Sequence, residues 1–149
     1  GRRSWQFVAT WTLFAVGTGS LVWLGVADWN AAGVAARLRL PAGGLLLVGG
    51  LGLALWGVAS LGAGQALGLE GDLAVEGPYR FTRNPQYVGD IAATVGWAVV
   101  TGAPRVAVVA LVAVVWYVVL PRSEEPWLEE HYGVAYRRYR RRVPRFFWH

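Results

Sequence analysis

Cysteine, methionine and lysine are all missing from this 149-residue chain. Without cysteine there is no disulfide, no thiolate nucleophile and no cysteine-ligated metal. Only His131 and His149 could supply imidazole, so a histidine-built metal site is not expected and no metal ligand is assigned. The missing methionine includes any initiator, so the chain reads as a processed or trimmed product. Charge is scarce as well. Charged residues make up 15% of the chain, where a soluble domain carries about a quarter. Hydrophobic residues make up 55% and the mean hydropathy is +0.38, which points to a membrane. With lysine absent, all 14 basic residues are arginines, and the pI is near 10.2. Such a pI would suit nucleic acid, but the bulk of the chain is too apolar for that partner. The arginines are better suited to setting topology and meeting anionic lipid head groups.

What the chain does have is long uncharged runs. Ser4–Ala27 follows Arg2 and Arg3 and is long enough for a membrane helix, which needs about 20 residues. A signal peptide competes with that reading, because Gly25-Val26-Ala27 loosely resembles a cleavage site. Signal cores are shorter, about 7–15 residues, so a retained first span is expected. Pro41 opens a second run, rich in glycine, that continues to Leu69. Small residues let membrane helices approach closely. A third run, Pro85–Pro104, carries Asp90 near its start, and Val106–Leu120 forms a fourth that Pro121 closes. The Pro104-Arg105 break between them predicts a tight antiparallel hairpin. The expected fold is an all-α integral membrane protein of one domain, 1–149. It has about four transmembrane helices, near 5–27, 41–64, 85–103 and 105–121, then a cytoplasmic segment, 122–149.

Two polar islands interrupt this pattern. The first, Glu76–Gly89, sets Gly77, Pro78, Pro85 and Gly89 around Arg80, Arg83, Tyr79 and Tyr87. Pro85 biases Asn84 away from helical dihedrals and is placed to open the third helix. Free amides at a helix start, with arginines beside them, suit an anionic or polar ligand; an ordinary cationic loop has the same composition. The second island is the C-terminal segment. Ser123 can cap a helix whose first turns hold Glu124, Glu125, Glu129 and Glu130 and whose later turns are rich in arginine. Leu128, His131, Tyr132, Ala135, Tyr136 and Tyr139 recur three and four apart, as on an amphipathic interfacial helix. Asp90, one turn inside a membrane helix, is either a functional acid or an interfacial partner of Arg83 or Arg122.

Arginine placement sets the topology. With four spans and both termini cytoplasmic, eleven arginines fall inside (2, 3, 80, 83, 122, 137, 138, 140, 141, 142 and 145) and three outside (37, 39 and 105). That obeys the positive-inside rule and puts both islands on one face. A prokaryotic-type cytoplasmic membrane is the expected location.

These islands resemble a known family. Gly77-Pro78-Tyr79-Arg80 and Arg83-Asn84-Pro85-Gln86-Tyr87-Val88-Gly89 are similar to the Arg-His-Pro-x-Tyr-x-Gly signature of the isoprenylcysteine carboxyl methyltransferase and phospholipid methyltransferase group. Glu124-Glu125, Leu128, Tyr132-Gly133, Tyr136, Tyr139 and Val143-Pro144-Arg145 resemble that group's C-terminal pattern. Gly62-Ala63-Gly64 loosely resembles a further Gly-x-Gly element. The resemblance covers Gly77–Phe146, and Asn84 departs from it by replacing histidine. It implies an integral membrane methyltransferase that uses S-adenosylmethionine and releases S-adenosylhomocysteine. Carried over, the cofactor-binding residues are Arg83, Asn84, Pro85, Tyr87, Gly89, Glu124 and Glu125, with Arg83, Tyr87 and Glu125 catalytic. The acceptor would be a membrane lipid, a prenylated molecule or another lipophilic substrate at the cytoplasmic interface; His131 is one candidate to take its proton. Two other readings stay open. One is an NADPH-dependent reductase of the sterol reductase type. The other is a non-catalytic lipid-binding or assembly protein on the same scaffold. Oligomeric state is unassigned.

Overall fold

In the computed structural model, residues 2–61 and 71–147 are described, and every regular element among them is helical. Four α-helices follow in order: α1 (Arg2–Ala27), α2 (Ala36–Leu61), α3 (Pro85–Thr101) and α4 (Pro104–Arg142). A single 3-10 turn, Gly77–Arg80, precedes α3. The Gly62-Ala63-Gly64 element lies outside the described residues. By length and composition α2 and α4 can each cross a bilayer; the apolar stretch described in α1, Ala15–Ala27, is shorter, and α3 has 17 residues.

The chain is built around one contact, that of α2 with α3. Gly43, Gly50 and Gly57 recur every seven residues on α2 and are buried, as are Gly89 and Gly96 on α3. A seven-residue repeat keeps a residue on nearly one helix face, so the two sets form facing backbone surfaces. The fit leaves no room for side chains. A Cβ on Gly43 would meet the Val100 amide nitrogen at 2.6 Å, and one on Gly89 would strike the backbone of Gly50 and Ala54. Around Gly44, Gly49 and Gly52 there is open space within 4 Å, so only half of the glycine-rich run serves this seam.

α1 is attached mainly near its C-terminal end. Trp97 donates its indole N–H to the Leu21 carbonyl at 3.1 Å, and Gly25 lies against Trp97 and Thr101. The chain then turns through Asn30, which has a left-handed φ of 57°, and hydrogen-bonds the end of α3. There the Asn30 N–H reaches the Thr101 carbonyl at 2.7 Å and the Ala32 N–H reaches Gly102 at 3.1 Å. Gly102, with φ 57°, ends α3, and Pro104 opens α4, as the tight hairpin requires.

Two prolines do not bound helices as the sequence suggests. α2 begins at Ala36, and Pro41 lies inside it. Leu38 and Arg39 bond back to the Ala35 carbonyl, so the first turn forms before the proline is reached. α4 likewise runs through Pro121 and Pro126 to Arg142, and its break comes at Gly133 (φ 54°, ψ −122°), a conformation other residues rarely adopt. Ser123 does not cap a new helix. Its hydroxyl donates to the Leu120 carbonyl at 2.7 Å, while Arg122 turns back to Val118 at 3.2 Å.

The semi-apolar face beyond Pro121 packs on the chain's own loop. Tyr136, Tyr139 and Val143 bury Tyr79, with Leu61, Leu73, Ala74, Leu128 and Tyr132 around them. His131 and Ala135 are exposed, and His131 stacks on Trp127 at 4.9 Å.

Candidate functional site

The first island is a turn held by its own backbone. Gly77 adopts φ +58° against Ser60, and the 3-10 turn that follows buries Pro78 and Tyr79. Tyr139 donates its hydroxyl to the Tyr79 carbonyl at 2.7 Å, which ties the turn to the last part of α4. Burial pushes the Tyr79 phenol up to about 12, with the nearby Glu124 charge adding to the effect.

Residues 143–146 then lie alongside residues 82–84. The Arg83 N–H donates to the Pro144 carbonyl at 2.9 Å, and the Thr82 hydroxyl and the Asn84 amide both donate to the Arg145 carbonyl, each at 2.9 Å. Thr82 is 1% exposed and also accepts from the Asn84 N–H at 3.2 Å. Asn84, the position where the related pattern has histidine, therefore acts as a staple: its side-chain donor holds the C-terminal segment in place.

This stitching brings Arg145 onto Glu125. The guanidinium makes a two-point contact, Nε to Oε1 at 2.8 Å and Nη2 to Oε2 at 2.7 Å. Arg83 approaches the same carboxylate, with Nη1 at 2.9 Å from Oε1, and donates to the Tyr136 hydroxyl at 3.0 Å. The Arg83 and Glu125 side chains are 8% and 10% exposed. One buried acid thus stands between two arginines, and the Arg83 Nε is buried without a partner among the described residues. Beside this group, Tyr87 donates to Glu124 Oε1 at 2.5 Å, and its ring lies 6.1 Å from that of Tyr117.

The two adjacent glutamates are driven apart electrostatically. Burial works against the charge of Glu125, but the Arg145 hydrogen bonds and the Arg83 and Arg145 charges outweigh it and hold the carboxyl below the usual range. Burial dominates at Glu124 and raises its pKa, with the Tyr87 hydrogen bond only partly offsetting it. At one location the chain therefore has a firmly anionic carboxylate and a more basic one. Pairs split in this way are how sites assign fixed-charge and proton-transfer roles.

Of the expected site residues, the structure brings Arg83, Asn84, Tyr87, Glu124 and Glu125 together. Pro85 and Gly89 sit elsewhere: Pro85 is buried at the start of α3 near Gly57, and Gly89 lies on the seam with α2. Asp90 pairs with neither expected arginine, because Arg83 is engaged by Glu125 and Arg122 by the Val118 carbonyl. Asp90 is half-buried on α3. The site partners that residue-by-residue reading missed are Arg145, Tyr136 and Thr82. Val143-Pro144-Arg145 and the spaced tyrosines were their signal in the sequence.

Comparison with protein families finds that the family model described as phospholipid methyltransferase matches residues 38–135. The matched range takes in α2, the first island, α3 and α4 up to Ala135, and so includes both glutamates. Searches of curated proteins and of solved structures found no match.

Proposed function

The chain belongs to the phospholipid methyltransferase family, and from that premise we propose that its polar end binds S-adenosylmethionine and methylates a lipid head group at the cytoplasmic interface. The observation that carries this reading is the meeting of Arg83, Glu125 and Arg145 with the Tyr87–Glu124 pair at one end of the helices. Four apolar helices crossing the bilayer, with both termini cytoplasmic, complete the proposal.

The residues fit the cofactor's functional groups. The Arg83 Nε, buried without a partner among the described residues, is a donor suited to a carboxylate. Only one Glu124 oxygen is taken by Tyr87, which leaves an acceptor for a hydroxyl or ammonium group. When bound, the cofactor supplies an electrophilic methyl group on a sulfonium. The Tyr87 and Tyr117 rings offer π faces that favour a nearby cation. Glu125, clamped by two arginines, fixes the position of Arg83 and keeps its own negative charge. Glu124, the more basic carboxylate, takes the proton that an amine head group must lose before it can attack. Alignment of donor and acceptor by such fixed groups supplies much of the rate. An amine-bearing phospholipid suits this arrangement better than a prenylated carboxylate, which has no proton to give up.

The test is calorimetric titration of S-adenosylhomocysteine into detergent-solubilised protein, beside Arg83→Ala and Glu124→Ala/Glu125→Ala variants checked for helicity. Micromolar binding by the wild type and its loss in both variants is expected. Folded wild-type protein that binds nothing, or variants that bind as well as wild type, would overturn the reading. Radiolabelled methyl transfer into an ethanolamine-headed lipid, absent in a Glu124→Gln variant, tests the acceptor.

A further inference from the structure

One acid near the site stands outside the charged cluster. Asp90 is the only charged residue between Arg83 and Arg105, and its sequence neighbours Val88, Gly89, Ile91, Ala92 and Ala93 are all apolar. An acid in such a stretch is costly unless something compensates it. Asp90 makes no hydrogen bond or ion pair among the described residues, since Arg83 is held by Glu125 and Arg122 by the Val118 carbonyl.

Helix register puts this acid beside two aromatic rings. Asp90 follows Tyr87 by three residues on α3, and residues three apart are neighbours on a helix surface. Tyr117 precedes Glu124 by seven residues on α4, which also keeps nearly one face. Tyr87 ties the two faces together, with its hydroxyl on Glu124 at 2.5 Å and its ring 6.1 Å from that of Tyr117. Helical side chains lean toward the N-terminus of their own helix, and α3 and α4 run antiparallel from the turn at Gly102 and Ala103. Asp90 thus leans back toward Tyr87, while Tyr117 leans away from Glu124 and toward Asp90. The carboxylate lies beside the ring pair and is half-buried rather than closed off.

We propose that Asp90 is the counter-charge for the sulfonium of S-adenosylmethionine, and that it makes the site prefer this cationic cofactor over the product, which is neutral at sulfur. The proposal rests on the methyltransferase reading. Glu125 is taken up by two arginines and one oxygen of Glu124 by Tyr87, so Asp90 is the nearby carboxylate with no partner of its own. Opposite charges attract more strongly where apolar surroundings lower the dielectric. As the methyl group passes to the acceptor nitrogen, the S–CH3 bonding pair stays on sulfur, an N–CH3 bond forms, and the nitrogen's proton goes to Glu124. The sulfur is then an uncharged thioether, the attraction to Asp90 ends, and the product is held less tightly than the cofactor.

The test is calorimetry on the full chain in a non-ionic detergent with three ligands. They are S-adenosylmethionine, S-adenosylhomocysteine, and sinefungin, whose amine puts a positive charge where the sulfonium lies. The wild type should bind the two cationic ligands about tenfold more tightly than S-adenosylhomocysteine. Asp90→Asn keeps the shape and removes the charge; it should bind all three alike, with its S-adenosylhomocysteine affinity unchanged. Asp90→Glu should retain the preference, and so should Asp28→Asn, which alters an acid paired with Arg105 at the other end of the helices. Ligand-free Asp90→Asn should unfold at no lower temperature than the wild type, because an unpaired acid holds nothing together. Equal binding of charged and neutral ligands by the wild type, or a preference that survives Asp90→Asn, would overturn the proposal while leaving the cofactor site in place. Loss of S-adenosylhomocysteine binding in Asp90→Asn, or a lower unfolding temperature, would overturn it in favour of a structural role. Folded wild type that binds none of the three would overturn the methyltransferase reading itself.

Discussion

One end of the helices holds a buried carboxylate between two guanidiniums; the other holds a buried guanidinium among rings and carbonyls. Glu125 is matched by Arg83 and Arg145 at 2.7–2.9 Å, whereas Arg39 has a carbonyl, a tryptophan face and a cavity. The contrast shows two ways of keeping a buried charge at the ends of apolar helices. The first is closed on itself, so it can hold groups in fixed positions. The second rests on uncharged groups, with no carboxylate paired to it among the described residues.

The largest effect should come from the seam the two ends share. Gly89→Leu near the glutamates and Gly43→Leu near Arg39 both drive a side chain into backbone, so each should cost more than the roughly 3 kcal/mol usual for overpacking and prevent folding. Helicity and monodispersity in detergent measure this; a marked inequality between the two would show that the ends are not held by one continuous packing. Next, Glu125→Ala strands two arginines and should cost about 3–5 kcal/mol, as removal of one partner of a buried pair does. Thermal unfolding checks it, and Glu125→Ala as stable as wild type would contradict the closed-cluster picture. Tyr87→Phe leaves Glu124 without its donor and should cost about 1.5–3 kcal/mol, the range for hydrogen bonds to charged groups. Acid titration sharpens the contrast within the pair. Because the Glu125 pKa is lowered on folding, its contribution is complete above the ordinary glutamate pKa and is lost only as pH falls through the lower folded value. Because the Glu124 pKa is raised, its ionised form is disfavoured by folding, and protonation relieves that cost at a higher pH. Infrared spectra should therefore show a protonated carboxyl band from Glu124 at a higher pH than that from Glu125, and the Glu124 band should be missing in Glu124→Gln. The smallest effect belongs to Arg105→Ala, whose side chain is 72% exposed in its pair with Asp28; it should change stability by about 0–1 kcal/mol.

Much of this arrangement could be read from the sequence for identifiable reasons. The uncharged runs gave four helices, because lipid demands internally bonded backbone, and arginine placement suggested that the two islands share an end. Arg83, Tyr87, Glu124 and Glu125 were legible through the resemblance of the two islands to the family's motifs. Pro41 and Pro121 misled because proline removes one hydrogen bond without having to end a helix, and α2 and α4 run on through them. Gly89 was grouped with the site because it matches the last glycine of the family signature, yet on α3 it faces α2. Arg145 could not be paired with Glu125 from spacing, since the contact depends on the Gly133 break and on Thr82 and Asn84 holding residues 143–146. Arg39 looked like one of three external topology charges, and only its burial distinguishes it.

The glycine seam also has a mechanical consequence. With backbone against backbone over five glycines, α2 and α3 have no side-chain layer through which to slide, and they behave as one stiff beam. Arg83 and Tyr87 are anchored at the start of that beam, but Glu124 and Glu125 ride on α4. A swing of α4 away from the beam would therefore pull the two halves of the charged cluster apart. The cluster is thus intact only while α4 is docked on the beam.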